Sequence, residues 1–218
     1  MSRPVIGMDL ERIRTLLLQM CSRAESMVQQ ASRSVIQHDT HLARSVLAAD
    51  AAIDDLELEI DGLCVRYLAV HKPTGYELRM VTTILKIVTD LERMGDLAGN
   101  IASRTLDIGT APGLEPGPEI AELARRATEM IRIAADGFVR DDVGACDVLR
   151  ARDAELDQLN RDAFTHWLSV VQAHPDQANR ALAYSSICRY LERIGDHAVN
   201  IGQMIVLLVE GRDVRHRG

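Results

Sequence analysis

Apolar side chains return every three or four positions across residues 9 to about 37. Leu10, Ile13, Leu17, Met20, Ala24, Met27, Val28, Ala31 and Val35 fall on one strip when the chain is wound at 3.6 residues per turn. That spacing predicts an amphipathic helix. A second such segment runs from a cap at Asp39 or Thr40 to about residue 70, and a third, opened by Pro73 and Thr74, carries Leu78, Val81, Leu85, Val88 and Leu91. Residues 109–118 are then dense in Gly and Pro, which do not continue a helix. Beyond them the triplet recurs over 118 to about 139, 141 or 142 to about 173, and 175 to about 209, with Pro175 in the role of Pro73. The pattern is all-α: tandem three-helix bundles at residues 1–108 and 118–212, a linker at 109–117 and a solvated tail at 213–218.

The polar positions repeat as well. Leu91-Glu92-Arg93-Met94-Gly95-Asp96-Leu97-Ala98-Gly99-Asn100-Ile101 recurs one hundred residues later as Leu191-Glu192-Arg193-Ile194-Gly195-Asp196-His197-Ala198-Val199-Asn200-Ile201. Glu, Asp and Asn at four-residue steps stand on successive turns of one helix strip. With Val88 at the centre of the apolar face, Glu92 lies about 40° away, Asp96 about 80° and Asn100 about 120°, so the strip slides from the core edge towards solvent. The preceding helix of each unit carries acids of its own. Asp50, Asp54, Glu57 and Asp61 share one face in the first, and Asp153, Asp157 and Asn160 share one in the second. Gly95 and Gly99 each cost a helix about 1 kcal/mol relative to Ala, a penalty that close approach of another backbone or a bound group offsets.

Facing carboxylates repel and lose hydration, and the available escapes are proton uptake, arginine pairing or a multivalent cation. Oxygen-only donors select hard ions such as Mg2+, Mn2+, Ca2+ or Fe3+. No Glu-x-x-His step accompanies them, which disfavours di-iron oxygen chemistry. The competing reading is a solvated face with the acids salt-bridged to Arg93, Arg193, Arg79 or Arg189, and with Asn100 and Asn200 bonded to backbone at a bend. Asp90, whose counterpart is Tyr190, is expected at the surface; Arg125-Arg126 reads as a solvated charge pair, and Trp167 and Phe164 as core.

Composition narrows the classes. Only 3% of the 218 residues are aromatic, which suits a helical bundle rather than sheets. A net charge of −7 argues against broad nucleic-acid binding, because phosphates demand a basic surface. Cys21, Cys64, Cys146 and Cys188 are scattered without metal or redox spacing and are expected to be buried thiols in a reducing cytosol. Asp9 and Glu11 come before any long apolar run and no uncharged apolar run of about 18 residues occurs, so neither a signal peptide nor a membrane span is expected and any membrane contact is peripheral.

The duplicated Leu-Glu-Arg-x-Gly-Asp-x-Ala-x-Asn-Ile segments, with Asp50-Ala51-Ala52-Ile53-Asp54 before the first, resemble the PhoU proteins, regulators of bacterial phosphate-specific transport, and the resemblance spans practically the whole chain. It implies two three-helix bundles related by a pseudo-twofold, with metal ions on Asp50, Asp54, Glu92 and Asp96 beside Asn100, and on Asp153, Asp157, Glu192 and Asp196 beside Asn200. Iron, manganese and magnesium are the ions implied, with zinc as a further candidate. It also implies a non-enzymatic, cytoplasmic homodimer that restrains phosphate uptake and the phosphate-starvation response as an adaptor to the sensor histidine kinase and the phosphate ABC transporter, peripheral to the membrane through those partners. Alternatives are a metal-dependent phosphohydrolase and a metal-free helical scaffold. Because Glu57 and Asp61 add charge to the first site, it is expected to bind a cation more tightly than the second.

Overall fold

The computed structural model describes residues 3–110 and 112–214, with side chains from Asp9 onward. Its helices are α1 (Arg3–Ile36), α2 (Thr40–Ala49), α3 (Ala51–His71), α4 (Gly75–Ile108), α5 (Pro118–Arg140), α6 (Gly144–Ala173) and α7 (Ala178–Glu210), with one 3-10 turn at Pro175–Gln177 and no strand among the described residues. Of the expected tail, Asp213 and Val214 are described; 215–218 lie outside the described residues, as do 1 and 2 of the first unit and 111 of the linker.

Local signals account for most of these bounds. Asp39 accepts from the backbone N–H of His41 (3.0 Å) and Leu42 (2.9 Å) and so caps α2, while His38 before it takes a left-handed φ of 52° that turns the chain out of α1. Asp142 accepts from Gly144 N–H at 2.9 Å at the entry to α6. Two expectations are corrected. α1 begins at Arg3 rather than Asp9, and the second segment of the first unit is two helices, interrupted at Asp50. Asp50 keeps right-handed helical dihedrals (φ −58°, ψ −49°), so the interruption lies in the hydrogen-bond ladder and the chain does not reverse there. α6, its counterpart, runs unbroken through Asp153.

The apolar strips read from spacing are the buried ones. Ile13, Leu17, Met20, Ala24, Val28 and Ala31 of α1 and Val81, Ile84, Val88 and Leu91 of α4 are buried, each large side chain contributing roughly 1.5–3 kcal/mol. Leu78 departs, being 40% exposed on the first turns of α4. The units share one continuous core, in which α4 packs along α7 and α1 against α5. Polar contacts tie the same seam. Arg79 donates to Leu208 O (2.9 Å), Arg132 pairs with Glu25 (2.7 Å), and Tyr76 O–H donates to Asp141 (2.8 Å). The linker is pinned where it crosses: Leu114 O accepts from Tyr184 O–H at 3.0 Å. All four cysteines are buried and free, and burial pushes the Cys21, Cys64 and Cys188 thiols up to about 12. No described helix is long and apolar enough to cross a membrane.

Candidate functional site

Glycine sets where the acid strips meet. A methyl group on Gly95 of α4 would stand 3.0 Å from Ile53 Cδ1 and 3.7 Å from Asp50 Oδ1; one on Gly195 of α7 would stand 2.5 Å from Leu156 and 3.4 Å from Asp153 Oδ1. Each motif glycine therefore lets the first aspartate of the facing strip, Asp50 or Asp153, come against the motif backbone. Gly99 differs, since the nearest atom to its methyl would be Leu47 Cδ2 at 3.8 Å, ordinary contact with no crowding.

In the α3–α4 strip the charges sense one another. Burial, and then the carboxylates of Asp54 and Asp96, raise the Asp50 carboxyl above its usual range. Glu92 is raised by burial, then by Asp96, against an opposing pull from Arg93; Glu57 is raised by burial, then by Asp61 and Asp54. Arg93 reaches Glu92 at 3.4 Å and Asp96 at 3.1 Å, so the arginine escape is partly realised here.

The α6–α7 strip is deeper. Glu192 is 6% exposed and is raised to about 7 by burial first and then by Asp196, with Arg189 opposing. Asp153 is raised to about 6 by burial, then by Asp196 and Asp157. Asp196 is raised by burial and then by Asp157, with His197, Arg189 and Arg193 opposing. Two oxygens, Asp153 Oδ1 and Glu192 Oε2, are buried with no hydrogen-bond partner, the condition that a proton or a cation relieves. Arg189 holds the other Glu192 oxygen at 2.9 Å, and Arg161 lies 3.6 Å from Asp157.

Each strip thus gathers Asp50, Asp54, Glu92 and Asp96, or Asp153, Asp157, Glu192 and Asp196. The asparagines do not join as read. Asn100 is exposed, and Asn200 donates to Asp90 Oδ1 at 3.1 Å, where His197 Nδ1 also lies at 2.9 Å. Asp90, expected at the surface, is the mostly buried hub of an α4–α7 contact, its side chain 16% exposed. The signal was present in the differences between the copies: Asp90 against Tyr190 and Leu97 against His197 diverge together. Phe164 is likewise corrected from core to surface at 59% exposed, whereas Trp167 is buried with its ring 5.0 Å from that of Tyr184. Arg125 and Arg126 are not a bare solvated pair. They share Glu122 at 2.8 and 2.7 Å and draw its carboxyl down to about 2, the Arg125 hydrogen bonds acting most strongly.

Among the described residues, no three acidic, histidine or cysteine side chains converge closely enough in these rotamers to enclose an ion. The donor set still suits a hard cation: it is oxygen-only, its carboxyls are raised by burial and then by one another, and two of its buried oxygens lack partners.

A family model described as the PhoU domain matches residues 17–105 and 120–205, one copy over each helix set. The chain is 35% identical over 213 residues to the phosphate-specific transport system accessory protein PhoU homolog of Pseudomonas putida, covering 96% of this chain and 82% of the relative. It superposes on the crystal structure of PhoU from Pseudomonas aeruginosa with a TM-score of 0.89 at 32% identity, covering 94% of this chain and 99% of that one. The phosphate transport system regulatory protein PhoU from Streptococcus pneumoniae shares the fold, with a TM-score of 0.88 at 22% identity over 96% of this chain and 99% of that one.

Proposed function

The chain belongs to the PhoU family, and on that premise we propose that it is an accessory protein of phosphate-specific transport: a cytoplasmic, metal-bearing adaptor to the sensor histidine kinase and the phosphate ABC transporter that keeps uptake and the starvation response low when phosphate is plentiful. The relatives' names support the transport role. The observation that carries the adaptor reading is the pair of acid strips on helix faces, with Asp54 and Asp196 exposed and Asp153 Oδ1 and Glu192 Oε2 unpartnered behind them. A hard cation such as manganese, iron or magnesium, bound there, would supply positive charge that lets the strip meet acidic groups of a partner. Asp153 and Glu192 would hold it from the buried side, while Asp157 and Asp196 would close on it by rotation of accessible carboxylates. The proposal assigns no catalysis. Association is with intracellular domains of the membrane complex, and a homodimer would present the faces in duplicate.

The test pairs membranes from cells grown in high and low phosphate with elemental analysis of the purified protein. Co-isolation of kinase or transporter subunits with the tagged chain, together with stoichiometric metal that Asp153→Asn/Glu192→Gln removes, is the expected result. Failure to retain either complex overturns the adaptor reading; a metal content unchanged by those substitutions overturns the site.

A further inference from the structure

On the second unit, beside its acid strip, α6 and α7 enclose a groove of ≈ 880 Å³ lined by Phe164, Leu182 and Tyr190 together with Arg161 and Arg189, and by no carboxylate. Phe164 and Leu182 are 59% and 58% exposed, large apolar side chains that the described residues leave uncovered. The groove continues past Leu182 into a hollow of ≈ 430 Å³ beside Arg104, whose one acid, Asp107, is paired with that arginine at 3.0 Å. In a chain of net charge −7 the groove wall itself carries two arginines and no acid, their counter-charges Asp157 and Glu192 standing outside it on the neighbouring strip. The duplication supplies an internal control. At the matching positions of the first unit stand Asp61 for Phe164, Thr82 for Leu182, Thr89 for Arg189 and Asp90 for Tyr190. The repeat keeps the acid strip in both units but builds the apolar, arginine-edged groove in one, so the feature does not follow from the shared fold.

We propose that this groove docks an amphipathic helix of a partner protein, one that sets two or three apolar side chains on Phe164 and Leu182 and flanks them with carboxylates directed at Arg161 and Arg189. On α6, positions 161, 164, 165 and 168 follow the i, i+3, i+4, i+7 rhythm, and all four are exposed, so the surface is a ridge two turns long, the span a docked helix reads. Both arginine side chains are 61% exposed; the Arg161–Asp157 pair is solvent-facing and a partner carboxylate can replace it at small cost, whereas Arg189 keeps its 2.9 Å pair with the buried Glu192 while its exposed guanidinium meets a second carboxylate. The inference rests on the adaptor reading for the existence of a partner, and on the groove alone for its chemistry.

The experiment is fluorescence anisotropy of the full chain with a labelled helical peptide of about 18 residues, Leu at i, i+3, i+4 and i+7 and Glu on the flanks, beside a twin with Lys in place of Glu. Saturable binding of the Glu peptide is expected, weakened about tenfold or more by Phe164→Ser and by Arg161→Glu/Arg189→Glu and unchanged by Leu58→Ser in the first unit. All these positions are exposed, and circular dichroism melts verify that the variants stay folded. Absence of saturable binding, equal binding of the Lys twin, indifference to Phe164→Ser, or a dimer that Phe164→Ser dissociates would each overturn the proposal, the last by giving the groove to a second copy. Peptide binding without membrane association would sink the adaptor reading and leave the groove standing; the converse would do the reverse.

Discussion

Glu192 is the residue on which the chemistry of the second strip turns. Its carboxyl, at about 7, and that of Asp153, at about 6, hold protons that the unfolded chain has already lost. Between about pH 4 and 7 the native state binds more protons than the unfolded one, so unfolding free energy falls as pH rises through that window. The melting temperature is expected to be higher at pH 5.5 than at 7.5, the strip contributing on the order of 2 kcal/mol after allowance for solvent screening of Asp153. Glu122, drawn down by Arg125 and Arg126, acts with the opposite sign and below its ordinary range. The comparison is therefore made against Asp153→Asn/Glu192→Gln, whose thermal melts should show a flatter pH profile. Glycine gives a second test. Gly195→Ala forces a methyl against Leu156 and should cost roughly 1–3 kcal/mol by chemical denaturation. Gly99→Ala meets only Leu47 at contact distance and should stabilise by up to about 1 kcal/mol. Only one of the two glycines that spacing picked out in α4 is there for close packing.

At the scale of elements, helix identity was legible because periodicity, caps and prolines agreed, and the strips were legible because they occur twice. The Asp50 interruption was not: Asp50 and Asp153 occupy equivalent places with the same side chain, yet only the first falls at a break. Nor was the place of Asn200, because spacing along one helix cannot say that a neighbouring helix offers Asp90 to its amide. Phe164 was misplaced for a similar reason, aromatic character being a guide to burial that a binding face overrides. Charge count ranks the first strip as the tighter cation site, whereas depth ranks the second. Depth should win: Asp153 Oδ1 and Glu192 Oε2 are buried without a hydrogen-bond partner, and although Arg189 and Arg161 must each leave one carboxylate, in the first strip Arg93 must be displaced from both Glu92 and Asp96. In a Mn2+ titration followed by calorimetry, Glu192→Gln/Asp196→Asn should lose more affinity than Glu92→Gln/Asp96→Asn, by about tenfold; equal losses would refute the ranking.

The whole molecule is less divisible than its duplicated sequence. Two units of about a hundred residues are each near the lower size for an independent core, and here α4 and α7 close a single one between them. Calorimetry should show one unfolding transition with equal calorimetric and van't Hoff enthalpies. Asp90→Ala, which strips the seam of its contacts to His197 and Asn200, should lower that transition by several degrees without splitting it.

Arg161 and Arg189 each touch two worlds: both line the apolar groove, and both are held by acids of the neighbouring strip, Asp157 at 3.6 Å and Glu192 at 2.9 Å. Whatever claims those carboxylates sets the guanidinium groups loose above the groove, and whatever seizes the guanidinium groups leaves Asp157 without its counter-charge and Glu192 with a shared one. Reciprocity then follows without any movement of helices, so that the two faces act as a single balance with a pair of arginines as its beam.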